Sequence, residues 1–169
     1  MRRALGLTLV LLALTLSGCL VSEQPLIASN DAAYPLAAEV RAERFKPDGN
    51  GWAHDENQRA YRSGPAYILV SENGDEMEIM LKRIAEKTFI AQSKDDNGSY
   101  MYGLLVFDGN TIYEYTPDCS DFQEADLGRY GFVKKEGDDC TVTSAAGLAS
   151  AYLAYLQSGA KPSGAYTLK

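Results

Sequence analysis

At 169 residues, with a formal net charge of −7, 46% hydrophobic and 23% charged residues, the chain has the length and balance of one globular domain, not of a disordered or fibrous protein. Arg2 and Arg3 are the only charges in the first 18 positions, so the remaining 151 residues carry 14 basic against 23 acidic side chains, a net −9. That balance speaks against nucleic acid and anionic lipid headgroups as partners, which reward clustered Lys and Arg; it is also an ordinary solubility device.

Met1-Arg2-Arg3 makes a positive start, and Ala4 to Leu16 follows with 13 uncharged residues. That is the length of a secretory apolar segment and falls short of the roughly 20 apolar residues of a spanning helix. Leu16-Ser17-Gly18-Cys19 comes directly after it. This motif of Leu, two small residues and Cys resembles the lipobox of bacterial lipoproteins. The resemblance implies that residues 1–18 are a signal peptide, that Cys19 receives a diacylglyceryl thioether, and that its new amine is acylated. Several acyl chains, at about 0.8 kcal/mol per buried methylene, make a durable membrane anchor. Leu20, where an Asp would mark inner-membrane retention, points to the outer membrane facing the periplasm. The rival reading is a plain cleavable signal peptide followed by a chance cysteine.

Residues 19–37 are predicted to be the lipidated Cys and a flexible tether, since they are small, polar or interrupted by proline. A coil of that length reaches roughly 25 Å. The single globular domain is then 38–169. With Cys19 used for lipid, Cys119 and Cys140 remain as a pair in an oxidising compartment, where disulfides persist. A bridge closing the intervening 20 residues contributes about 3 kcal/mol in the chain-entropy picture. A metal site or catalytic thiol is the alternative, but the one histidine, His54, is remote and no Cys-x-x-Cys occurs.

Ala38 to Phe45 alternates Ala38, Val40 and Ala42 with charges, the period of a half-buried strand, with a short helix as rival. Lys46-Pro47-Asp48-Gly49-Asn50-Gly51 predicts a hairpin into a weaker segment from Trp52 to Arg59. Ala66–Val70 and Met77–Leu81 flank a second turn at Asn73-Gly74, and Thr88–Gln92 leads through Asn97-Gly98 into Tyr100–Phe107. That run is apolar on both faces, so it is predicted to be the central strand. Asp108-Gly109-Asn110 closes another hairpin into Thr111–Tyr115. Ser120 and Gln123 suggest a capping box for a short helix from Asp121 to Arg129 that ends near Gly131. Phe132-Val133 suggests a brief strand. A second helix, Ala145 to Gln157, is capped by Thr143 or Ser144 and striped by Leu148, Tyr152, Tyr155 and Leu156, before a last strand at Gly164–Leu168. The fold class is mainly β (α+β): an antiparallel meander forming a small barrel or sandwich, with two short C-terminal helices.

No nucleophile elbow, phosphate loop or zinc spacing occurs, so no catalytic residue, metal ligand or cofactor is assigned. His54-Asp55 lacks a nucleophile partner, and the acidic turns at Asp48, Glu72 and Asp95 miss the offsets of a calcium loop. Eleven tyrosines stand out, of which Tyr100, Tyr102, Tyr113 and Tyr115 fall on two adjacent predicted strands at period 2. On one face they would line a ligand mouth or partner patch; the competing reading is the ordinary preference of sheets for tyrosine. The functional expectation is a non-enzymatic envelope lipoprotein that binds an envelope protein or a small apolar ligand. A cell-wall glycan hydrolase using paired carboxylates, or a purely structural envelope component, stands as the alternative.

Overall fold

The computed structural model describes residues 19–135 and 137–169; the leader and most of the lipobox lie outside them. Eleven strands and two α-helices are found among the described residues, in the order β1 Leu20–Ser22, β2 Glu39–Asp48, β3 Gly51–Ser63, β4 Ala66–Val70, β5 Glu76–Ala85, β6 Thr88–Lys94, β7 Tyr100–Asp108, β8 Thr111–Tyr115, α1 Glu124–Tyr130, β9 Phe132–Lys134, β10 Cys140–Val142, α2 Ala145–Gln157 and β11 Gly164–Leu168.

Strands β2 to β8 run as an antiparallel meander, and β11 enters between β8 and β2 to close an eight-stranded barrel. Closure removes the open edges that an isolated sheet would present. The turn chemistry follows from two-residue loops: Gly49 and Gly109 each hold φ near +60° at the first loop position, while no non-glycine residue has positive φ. That is the type II′ arrangement, whose twist matches that of the flanking strands. A bulge between Arg44 and Phe45 leaves Asp55 opposite no residue, because Arg44 pairs with Glu56 and Phe45 with His54.

β7 is covered on both sides, as its two apolar faces predict, although closure into a barrel leaves no strand central. Its inner face turns Gly103, Leu105 and Phe107 into the barrel. The outer face buries Tyr102 and Leu104 beneath the helical layer. The larger of the two cores therefore lies outside the barrel, where Ile90, Tyr102 and Leu104 meet Leu148, Ala151 and Tyr152 of α2. Full burial of a Leu-sized side chain is worth about 1.5–3 kcal/mol, so this layer is a principal source of stability.

The second helix spans the expected residues, with the Ser144 hydroxyl accepting from Gly147 N–H at its start. The first one begins differently from expectation. Cys119–Asp121 is a 3₁₀ turn, and the capping box is made by Asp118 and Asp121; α1 then starts only at Glu124 and ends at Gly131 in the left-handed conformation. Asp118 outcompetes Ser120 because its carboxylate accepts from both the Ser120 amide and hydroxyl. The two helices cross so closely that a Cβ on Gly147 would stand 2.0 Å from the Tyr130 carbonyl oxygen.

The stretch 19–37 is not a free tether. β1 pairs in parallel with β10 and antiparallel with the first residues of β7, and Leu20 and Ile27 are buried. The Leu26 and Ile27 amides both donate to Gln92 Oε1 at 2.8 Å. Further along, Ala33 N–H donates to the Leu81 carbonyl and Lys82 pairs with Asp31 at 2.8 Å. Burial of two large apolar side chains outweighs the polar composition that suggested a coil. The Cys119–Cys140 disulfide forms, with Cα atoms 5.5 Å apart, and anchors the segment before α1 to β10.

Candidate ligand cavity in the barrel

Side chains at alternate positions of all eight barrel strands point inward, and they do not fill the space. A cavity of about 100 Å³ remains, lined chiefly by apolar groups from Val40 to Leu168. Its waist is made by residues with little or no side chain: Ala42, Ala60, Ala91 and Gly103. Eight-stranded barrels are just wide enough either to fill with side chains or to hold one small ligand, and the small waist residues leave part of this interior unfilled.

The N-terminal strap packs over the apolar end. Tyr67, Leu81 and Phe89 pack with Ala33 and Leu36, and the Tyr67 hydroxyl donates to the Leu36 carbonyl at 2.9 Å while accepting from its amide. Burial raises the Tyr67 pKa, which keeps the hydroxyl a donor. The Arg62 guanidinium lies 3.6 Å from the ring centre of Tyr34 on the same strap.

The opposite end is ionic. Arg44, in phase with Val40 and Ala42 on β2, reaches Asp55 at 2.6 Å, Glu114 at 3.3 Å and the Tyr166 hydroxyl at 3.2 Å, so each of its three nitrogens has a protein acceptor. The bulge brings Asp55 to the side of Arg44, a common use of the extra residue. A hydrogen bond from Lys46, joined by its charge and that of Arg44, holds the Asp55 carboxyl below its ordinary range. Burial and then the neighbouring Glu114 carboxylate push the Tyr166 hydroxyl well up, so it donates to Glu114 Oε2 at 3.2 Å. Gly164 makes room for that carboxylate, since a Cβ there would stand 2.6 Å from Glu114 Oε2. One layer deeper, Gln58 Nε2 donates to Glu56 Oε1 at 2.7 Å, which fixes the amide orientation. Gln58 Oε1 is buried and has no hydrogen-bond partner among the described residues.

Asp55 and Glu114 are the carboxylates a hydrolytic reading would draw on. Both are engaged by Arg44, and the lowered pKa of Asp55 suits a permanent anion better than a proton donor. His54 packs its ring edge-to-face on Phe45, with centroids 5.7 Å apart. Among the described residues, no three His, Cys, Asp or Glu side chains cluster as metal ligands.

The four tyrosines share the outer face of the barrel, away from the cavity. Tyr102 is buried there and its hydroxyl hydrogen-bonds Ser22 Oγ at 2.6 Å. Tyr100 and Tyr115 are partly buried against the outer core, Tyr115 edge-to-face with Tyr155 at 6.5 Å. Tyr113 is half-buried on the outer face of β8. Cys19 is exposed; its amide donates to Asp139 Oδ1 at 2.8 Å and its carbonyl accepts from Cys140 N–H at 3.1 Å.

Sequence reasoning passed over Arg44, Gln58, Glu114 and Tyr166. A signal was present: Arg44 continues the apolar phase of Val40 and Ala42, and Glu114 follows Ile112 in phase, so charges stand where the period places the inward face. Fold and site together define a closed antiparallel barrel with an internal cavity and an external helical layer. Comparison with family models, with curated proteins and with solved structures finds no match for this chain.

Proposed function

We propose that this chain is a lipid-anchored bacterial envelope lipoprotein whose barrel is a non-enzymatic binding module. The observation that carries the binding part is the unfilled barrel interior, flanked by the strap at one end and by the Arg44 cluster at the other. A domain needing only mechanical stability gains from filling such a space, because each missing methylene contact costs packing energy. Here the larger of the two cores lies outside the barrel. Leu16-Ser17-Gly18-Cys19 supports the anchor, with the outer membrane as the favoured site.

The anchor is tested by expressing the chain and its Cys19→Ala variant in a bacterial host and comparing fractionation and labelling with radioactive palmitate. The wild type is expected in the membrane fraction and labelled. A Cys19→Ala protein that is still membrane-bound and labelled would defeat the lipid reading. Binding is tested by crosslinking in intact envelopes followed by mass spectrometry of both protein and small-molecule adducts. Protein adducts with an empty barrel would move the reading from carriage to surface recognition.

A further inference from the structure

The glycine at the cavity waist is not required by the backbone. Gly103 has no positive φ, and a Cβ built on it meets nothing nearer than the Tyr115 carbonyl at 3.8 Å, an ordinary contact. By contrast, Gly147 is enforced by the Tyr130 carbonyl oxygen, 2.0 Å from a would-be Cβ. The strand would accept a side chain at 103, and strands favour one there. The missing side chain therefore leaves space without relieving any steric strain.

The chemistry of the walls then limits what fits. An engineered apolar cavity of about 150 Å³ takes up benzene, so about 100 Å³ sets a single small ring or a short branched chain as the upper limit. The polar end offers acceptors. Gln58 Oε1 faces a buried environment with no donor, and its orientation cannot reverse, because Nε2 is held by the Glu56 carboxylate. A buried acceptor left unmade costs free energy that a ligand donor recovers. Around it Asp55, Glu56 and Glu114 outnumber Arg44 and Lys46, and the Arg44 nitrogens are already engaged. A carboxylate or phosphate head meets net negative charge with no spare guanidinium fork.

We infer that the barrel interior is a binding site for a small, uncharged apolar molecule of about one ring that carries a single hydroxyl donor, directed at Gln58 Oε1. This rests on the binding-module reading above and names the ligand class of that site.

The test titrates the full chain with phenol, toluene and benzoate and follows the side-chain methyl resonances of Ile79, Leu105 and Ile112, all on the cavity wall. Saturable shifts are expected with phenol, about tenfold weaker binding with toluene for one lost hydrogen bond, and none with benzoate. Gly103→Leu is expected to abolish the response to phenol and toluene; Ala91→Val is the second filling variant if Gly103→Leu fails to fold. Gln58→Leu should bring phenol down to the level of toluene. Equal binding of phenol and toluene, unmoved by Gln58→Leu, or saturable binding of benzoate, would overturn the ligand class while leaving the barrel a binding module. Absence of saturable shifts with phenol and toluene, or shifts that persist in the filled variants, would overturn the interior site itself. Neither result bears on the lipid anchor, which palmitate labelling reads separately.

Discussion

The hydroxyl of Tyr152 donates to the main-chain carbonyl of Tyr102 at 2.8 Å, and the Tyr152 side chain is wholly buried. This bond fastens α2 to the middle of β7 in a place water does not reach. Tyr152→Phe keeps the ring and orphans the carbonyl, so it should cost about 1–3 kcal/mol. Tyr152→Ala also empties the ring's volume and should cost about 3–5 kcal/mol. Urea unfolding checks both, as a lower midpoint at unchanged slope. A Phe variant as stable as the parent would mean the carbonyl finds another donor.

Gly147 tolerates no side chain. With the Tyr130 carbonyl 2.0 Å from a would-be Cβ, Gly147→Ala forces α1 and α2 apart even though alanine is the better helix former. The gain of about 1 kcal/mol in helix propensity is expected to be overwhelmed by overpacking of about 1–3 kcal/mol or more. The melting temperature should fall and the near-ultraviolet tyrosine signal weaken. A rise in melting temperature would contradict the close crossing.

Reduction of Cys119–Cys140 releases the segment that carries α1 and β9. The pair is 21 residues apart, for which the chain-entropy picture gives about 3 kcal/mol. The Cys119→Ala/Cys140→Ala double variant should lose a similar amount, and dithiothreitol should shift the wild-type midpoint but not that of the variant. Because Cys140 also lies in the ladder with Leu20, amides of β1 should lose protection against hydrogen exchange first.

Stability should fall at both extremes of pH. Burial raises Tyr152, and burial followed by Glu114 raises Tyr166, each well above the ordinary value of 10.0. Unfolded chains release these protons near pH 10 while the folded protein retains them, so the stabilisation is complete below pH 10 and is lost as pH rises beyond it. Tyr166→Phe should flatten that alkaline slope. On the acid side, the Lys46 hydrogen bond and the charges of Lys46 and Arg44 hold Asp55 below its ordinary 3.8. Its contribution is present above that value and disappears as pH falls through the lowered one. Asp55→Asn should remove this part of the acid dependence, read as denaturant midpoint against pH.

Much of the fold was legible because its signals are local. Gly49 and Gly109 mark hairpins, Ser144 and the stripe through Leu148 and Tyr152 mark α2, and the two apolar faces of Tyr100–Phe107 mark a strand with a core on each side. β1 was missed because its three residues are held by β7 and β10, far away in sequence, and nothing in Leu20-Val21-Ser22 announces them. The cavity waist was illegible for a related reason. Ala42, Ala60, Ala91 and Gly103 converge only after the sheet closes on itself, and no spacing along the chain brings them together. The tyrosines drew attention by number, yet their phase on β7 and β8 is that of Leu104, the outer-core residue, and not of Leu105, which lines the cavity.

The insertion of β11 between β8 and β2 has a kinetic consequence. Tyr166 must pair with Ile112 on one side and Arg44 on the other, so the meander from β2 to β8 stays open until the segment 164–168 docks. Until then two unsatisfied edges are exposed, and the chain has to pass the helices before it can cover them. Such long-range pairing is slow and the open edges recruit other chains. Refolding yield should therefore depend on protein concentration even though the finished barrel has no free edge.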